Sequence, residues 1–216
     1  MSKDPLCAPN PYNIPPHLTG LYIVGPSSTG KTTLCRALAS RLQLSPTQHV
    51  SEVARTVMRS SSFTRDHVDK LEMQQAIMHA QITAENTARS QSFTTKSPSN
   101  ASFLLCDRSA IDPLIYAALS ATEGSGAKVL AESDEMQAIL PVYRRAIFVL
   151  LHPVKEWFED DGIRSLADPS GYPLTYKHYL SRFEIKYYEI DSSLKDLDER
   201  VNAVLSWAGI MHTETP

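Results

Sequence analysis

Gly25-Pro26-Ser27-Ser28-Thr29-Gly30-Lys31-Thr32-Thr33 is the stretch whose reading decides the fold. Its two glycines, its lysine and its hydroxyls have the spacing of a loop that wraps around phosphate. The flanks agree. Leu21-Tyr22-Ile23-Val24 reads as a short buried strand, and Thr33 to Leu42 reads as a helix with Leu34, Leu38 and Leu42 on one side. Gly25 and Gly30 leave the backbone free to fold around an anion, so that consecutive N–H groups at the helix N-terminus face a β-phosphate. Lys31 can reach the β and γ oxygens, and Thr32 can place its hydroxyl on Mg²⁺. Gly25, Ser28, Thr29, Gly30, Lys31, Thr32 and Thr33 are therefore the expected nucleotide contacts. The competing reading, a Gly/Ser turn that merely caps a helix, is disfavoured by a strand before the loop and a helix behind it.

From Leu21 onward strand-like and helical segments alternate, the pattern of a parallel sheet covered on both faces. Strands are predicted at Leu21–Val24, His49–Ser51, Phe103–Cys106, Ala146–Leu151 and Tyr187–Ile190. Helices are predicted at Lys31–Leu42, Glu52–Arg59, Arg65–Ser90, Ile111–Ala121, Val129–Leu140, Leu174–Lys186 and Leu197–Ala208. Residues 1–19 carry five prolines and read as an extended, partly disordered arm; residues 20–216 read as a single domain.

Three further landmarks follow strands, and in such sheets ligands bind at the carboxyl ends of the strands. Phe103-Leu-Leu-Cys-Asp107-Arg108-Ser109 is an apolar strand ending in an acid. Asp107 can hold Mg²⁺, or it can cap the helix that starts near Ala110. Its neighbour is Arg108, where motor-type ATPases commonly place a water-orienting glutamate. An arginine cannot be a base, but it can grip a phosphate or an acceptor, which points to transfer in preference to hydrolysis.

Glu159-Asp160-Asp161-Gly162-Ile163-Arg164 lies beyond the fourth strand at the distance of a lid, near residues 158–172. Arg164 there can stabilise charge on a transferring phosphoryl group; the alternative is a solvated acidic loop. Gly162 and Gly171 are candidate hinges. Ser51-Glu52-Val-Ala-Arg55 puts Glu52 on the acceptor side, as a base for a substrate hydroxyl or as a first-turn glutamate favoured by the helix dipole. On the long helix, Val68, Leu71, Met78 and Ile82 form an apolar stripe into which Gln75 and Glu85 also fall. These two polar groups line an acceptor pocket or sit at the stripe's wet margin, the reading we prefer.

Composition narrows the class. The chain has 216 residues and a net charge of -3 with no dense basic cluster, which argues against a nucleic-acid partner. Cys7, Cys35 and Cys106 have no ligand or disulfide spacing. No stretch has the apolar length of a membrane span, and the N-terminus lacks the build of a signal peptide, so the expected address is the cytoplasm.

Together these residues resemble the P-loop kinase-like AAA domains grouped with the NadR-type ribosylnicotinamide kinases. The resemblance rests on GPSSTGKTT, Glu52-x-x-Arg55, Asp107, Asp160-Asp161-Gly162-x-Arg164 and Leu197-x-Glu199-Arg200, and it runs from about Leu21 to Ala208. It implies a three-layer α/β fold with a five-stranded parallel sheet of nucleoside-monophosphate-kinase type, ATP with Mg²⁺ held through Thr32 and Asp107, and an acceptor site at the ends of the second and third strands. There Glu52, Arg55 and Arg108 are the expected acceptor contacts. Asp107-Arg108-Ser109 looks more like the corresponding element of thymidylate and deoxynucleoside kinases than like the NadR-type sequence.

The expected activity is ATP-dependent phosphoryl transfer to a small acceptor, a nucleoside or nucleotide among the candidates, with Lys31, Asp107, Arg164 and Glu52 as the catalytic set. Whether Glu52 or Asp107 is the base stays open. The alternative is a nucleotide-binding regulatory switch or ATPase that binds a protein or lipid. A guanine-specific switch is disfavoured because no N-K-x-D element is present and the D-x-x-G match, Asp168 to Gly171, follows the fourth strand.

Overall fold

The computed structural model describes residues 12–94, 103–120, 125–157 and 171–212. In chain order its elements are β1 (Tyr12–Asn13), β2 (Gly20–Val24), α1 (Lys31–Arg41), β3 (His49–Val50), α2 (Ala54–Ser60), α3 (Leu71–Thr94), β4 (Leu104–Asp107), α4 (Ile111–Leu119) and α5 (Ser125–Glu132). There follow α6 (Asp134–Tyr143), β5 (Ile147–Leu151), α7 (Gly171–Arg182), β6 (Tyr187–Ile190), α8 (Leu197–Trp207) and β7 (Met211–His212). Five of the strands form one sheet in the order β3-β4-β2-β5-β6, with every pairing parallel.

Strands that are apolar at successive positions, such as Gly20–Val24 and Ile147–Leu151, must be buried on both faces, and they are. Tyr22, Val24, Leu104, Cys106, Phe148 and Leu150 point into a core shared with helices α3 to α7. Leu21, Ile23, Leu105, Ile147, Val149 and Leu151 point the other way, into a core shared with α1 and α8. The period of two along each strand thus yields three layers, helix, sheet and helix, and each fully buried Leu, Ile or Val contributes about 1.5–3 kcal/mol. The expected three-layer fold and all five predicted strands are present, within one or two residues.

Three expectations are corrected, and part of the proline-rich arm is described. The helix predicted at Val129–Leu140 is two helices, because Ser133 leaves the helical conformation and caps α6 by accepting the Met136 N–H. Arg65–His67 is a separate 3₁₀ turn, and α3 begins only at Leu71. On α3, Gln75 is exposed, whereas Glu85 is fully buried in the interior and not at a wet margin. Within the proline-rich arm, residues 12–19 are packed: Ile14 and Leu18 join the α1/α8 core, and β1 pairs antiparallel with β7.

Among the described residues no helix is long and apolar enough to cross a membrane. At the carboxyl ends of β2, β3, β4 and β5, Val24, Val50, Asp107 and Leu151 hand the chain to its loops on one side of the sheet.

Candidate functional site

Between β2 and α1 the chain turns through three left-handed residues, Gly25 (φ 136°), Ser28 (φ 58°) and Gly30 (φ 83°). Both glycines are needed for φ, and Gly25 for space as well. A Cβ on Gly25 would lie 2.5 Å from the Leu151 carbonyl oxygen, and one on Gly30 would lie 3.2 Å from the Trp157 ring. Gly30 begins α1 with no side chain capping it, so the helix presents its first N–H groups to the loop. Inside the turn the Thr29 hydroxyl donates to the Pro26 carbonyl, and the buried Lys31 ammonium donates to Pro26 O and to Thr29 Oγ1. Anions are favoured here by the helix dipole, the amides and the lysine together.

Asp107 ends β4 beside this loop. Thr32 Oγ1 donates to its Oδ2 at 2.5 Å, while its Oδ1 is buried and has no hydrogen-bond partner among the described residues. Asp107 does not cap α4, whose N-cap residue Ala110 carries no capping side chain; the Ser109 hydroxyl accepts the Ile111 N–H at 3.1 Å, and Asp112 in turn accepts the Ser109 N–H and the Ser109 hydroxyl at 2.9 Å. A hydroxyl next to a carboxylate with one unused oxygen is a donor set that fits Mg²⁺, a hard cation that takes few protein ligands.

Arg108 is held in a left-handed conformation (φ 84°), and its side chain is almost wholly buried. Its Nε donates to Glu52 Oε1 at 3.1 Å, and its Nη1 donates to Asp112 Oδ1 at 3.0 Å and to the Gly25 carbonyl at 3.4 Å. Burial works against its charge, yet Tyr116, Asp112, Tyr176 and Asp107 outweigh it and raise its pKa. Glu52 lies just before α2, not in its first turn, and its second oxygen accepts from Arg55 Nε at 3.0 Å. The structure therefore brings Glu52, Arg55, Asp107 and Arg108 together at the ends of β3 and β4. Arg164, with the rest of the expected lid from 158 to 170, lies outside the described residues; Gly171 opens α7.

Several residues here escape motif reading. Tyr176 donates to Asp112 Oδ1 at 2.8 Å, Tyr116 and Tyr172 meet edge to face at 5.4 Å, and the Tyr116 hydroxyl lies 3.5 Å from Ser27 Oγ in the loop. Asp112 has a sequence signal, an acid four residues beyond Arg108 in the otherwise apolar helix Ile111–Leu119.

Behind the loop is a buried polar network. Glu85 accepts from Tyr22 at 2.8 Å, from Tyr143 at 3.0 Å and from Gln81 at 3.0 Å, and burial raises its pKa above the usual carboxylate value. Gln81 also reaches the Arg108 carbonyl at 3.5 Å, and the Tyr143 hydroxyl accepts the Ala110 N–H at 2.9 Å. The strained loop that carries Arg108 is thus held through its own backbone.

A family model described as an AAA domain matches residues 21–200. No curated protein sequence matches this one. Among solved structures, the NadR protein in complex with NR is 20% identical with a TM-score of 0.59, over 93% of this chain and 52% of the other. NadR in complex with NAD and AMP-PNP gives 18% identity and the same TM-score and coverage, so the chain spans about half the length of the NadR structures. Deoxyadenosine kinase from M. mycoides, with dCMP and dCDP bound, is 11% identical with a TM-score of 0.54, over 88% of this chain and 98% of the other. These likenesses establish the fold of the P-loop kinases.

Proposed function

Since the chain belongs to this AAA-domain family over residues 21–200, we propose that it is an ATP-dependent phosphotransferase whose acceptor is a small, uncharged, hydroxyl-bearing molecule such as a nucleoside. The observation that carries the reading is the charge around Arg108. A free arginine beside the phosphate loop would suit a phosphorylated acceptor, but this one already has Glu52 and Asp112 at 3.0–3.1 Å. With Arg55 on Glu52 as well, two guanidiniums face two carboxylates, and an anionic acceptor gains little. Glu52 and Asp112 can instead accept hydrogen bonds from hydroxyls, and the Tyr116 and Tyr172 rings offer a planar group an apolar wall.

In this reading Gly25 to Thr33 hold the phosphates of ATP, with Lys31 leaving Pro26 O and Thr29 Oγ1 for the β and γ oxygens. Thr32 and Asp107 hold Mg²⁺, which supplies charge neutralisation at the transferring phosphoryl group. Glu52 takes the proton of the acceptor hydroxyl as that oxygen bonds to the γ-phosphorus and the bond to ADP breaks. Both Glu52 oxygens already accept from arginines, and Asp107 is the other candidate base. Arg164 is the candidate for stabilising charge on the phosphoryl group, and the acceptor's positioning supplies most of the rate.

Incubation with labelled Mg·ATP and a panel of nucleosides and nucleoside monophosphates tests the proposal. Transfer to a nucleoside is expected, with Glu52→Gln slower by about 10²-fold or more at unchanged ATP affinity, and Asp107→Asn impaired in every nucleotide-dependent activity. Preference for the monophosphates would overturn the uncharged acceptor. Absence of any acceptor, with a protein or lipid bound only in the ATP-loaded state, would replace the kinase by a switch.

A further inference from the structure

Arg200, in the first turn of α8, has the largest fully buried side chain among the described residues, only 2% exposed. Its guanidinium is shared among three loops. Nε donates to the Leu194 carbonyl at 2.6 Å, Nη1 donates to the Thr29 carbonyl at 3.0 Å, and the group lies 4.6 Å from the centre of the Trp157 ring. Nη2 is buried with no partner, and Arg200 forms no ion pair among the described residues. Burial works to lower its pKa, but an arginine does not deprotonate under ordinary conditions. A buried cation whose hydrogen bonds among the described residues go to two carbonyls is costly to keep, and this one lies directly against the phosphate loop.

We propose that Arg200 is a positioning residue of the nucleotide site, set behind the phosphate loop to aim and strengthen its amides. The inference rests on reading Gly25 to Thr33 as a phosphate site. In a trans peptide the carbonyl and the N–H point in opposite directions, so a Thr29 carbonyl pinned to Arg200 turns the Gly30 N–H away from Arg200. A charged donor on that carbonyl also polarises the peptide and makes the Gly30 N–H a stronger donor to an anion. The guanidinium's positive charge adds attraction for a polyphosphate. Trp157 fixes the guanidinium from its other side, and both groups come so close to Gly30 that a Cβ there would lie 3.2 Å from the ring and 3.3 Å from Nη1. A Cβ at Gly30 would require the ring or the guanidinium to shift slightly.

Calorimetric titration of inorganic tripolyphosphate and of Mg·ATP into the parent, Arg200→Gln and Trp157→Leu, with far-UV circular dichroism and melting temperature alongside, tests this. Tripolyphosphate has no base or sugar and reads the loop alone. Arg200→Gln is expected to weaken both ligands by a similar factor of about 10–100, the scale of a lost charge-assisted hydrogen bond. Trp157→Leu, at a partly exposed position, is expected to fold and to weaken both by about 2–10-fold, the scale of a lost cation–π contact. Folded Arg200→Gln that binds tripolyphosphate like the parent overturns the proposal, as does a loss confined to ATP. If Arg200→Gln does not fold, parent-like binding by Trp157→Leu overturns it, and weakened binding upholds it. A parent that binds neither ligand removes the phosphate-site reading itself.

Discussion

Tyr143→Phe removes one oxygen from the interior and keeps the ring, whose edge contacts with Tyr22 at 4.9 Å and Phe148 at 5.2 Å need no hydroxyl. That oxygen has two tasks: it accepts the Ala110 N–H at 2.9 Å and donates to Glu85 at 3.0 Å. Its loss leaves a buried amide unpaired, at about 1–3 kcal/mol, and takes one donor from a buried carboxylate, at about 1.5–3 kcal/mol. Stability should therefore fall by about 2.5–6 kcal/mol in urea unfolding with an unchanged slope, and the melting temperature by about 5–20 °C. In a Glu85→Gln background the same substitution should cost less, with a coupling above about 0.5 kcal/mol. A Tyr143→Phe variant within about 0.5 kcal/mol of the parent would refute the view that this network holds the Arg108 loop.

Lys31→Ala should reduce ATP-dependent turnover by about 10²-fold or more while leaving the melting temperature near that of the parent, because its ammonium serves the loop and not the core; undiminished turnover by the folded variant would contradict the site. Glu85 has a raised pKa in the folded chain, so its contribution is fully present below the unfolded carboxylate value and is lost as pH rises through the folded value. Melts from about pH 4 to about pH 8 should show that decline in the parent and a flatter profile in Glu85→Gln; equal slopes would show that Glu85 is not its source. Gly30→Ala, at φ 83° and against Trp157 and Arg200, should cost about 1–2 kcal/mol in urea unfolding from backbone strain alone, and should weaken Mg·ATP binding in calorimetry.

The loop from Gly25 to Thr33 could be read from the chain because its constraints are local: glycines at fixed offsets, an apolar strand before them and an apolar stripe behind. Asp107 could be placed for the same reason, at the end of an apolar run. Arg108 is different. Its side chain was legible as a charge beside the site, but its partners Glu52 and Asp112 are brought to it by β3 and α4, and spacing does not show that the charge is already satisfied. Glu85 falls on the same stripe as Met78 and Ile82, yet nothing local says that two tyrosines from β2 and α6 arrive to bond it. The apolar periodicity continues through the break at Ser133 and hides it, although a serine followed by two acids is a helix-start signal. Arg200 interrupts the stripe of α8, and its destination at Thr29 depends on how α8 packs beside α1.

The strand order has a consequence for how the chain comes to be folded during synthesis. β2 is made before both of its neighbours, yet it ends in the middle of the sheet, where Gly20 awaits Leu104 and Leu21 awaits Ile147. Loop-closure entropy must be met across both spans before either pairing is rewarded, a topology that folds slowly. Only a glycine at position 25 fits beside the Leu151 carbonyl, a neighbour made much later, and Thr29 is pinned only once Arg200 has left the ribosome. A nascent chain stalled before β5 would expose Leu21, Tyr22, Ile23 and Val24 as an unpaired apolar strand, the kind of segment that chaperones shield. The segment that names the fold earliest in the sequence is thus the last to acquire its working shape.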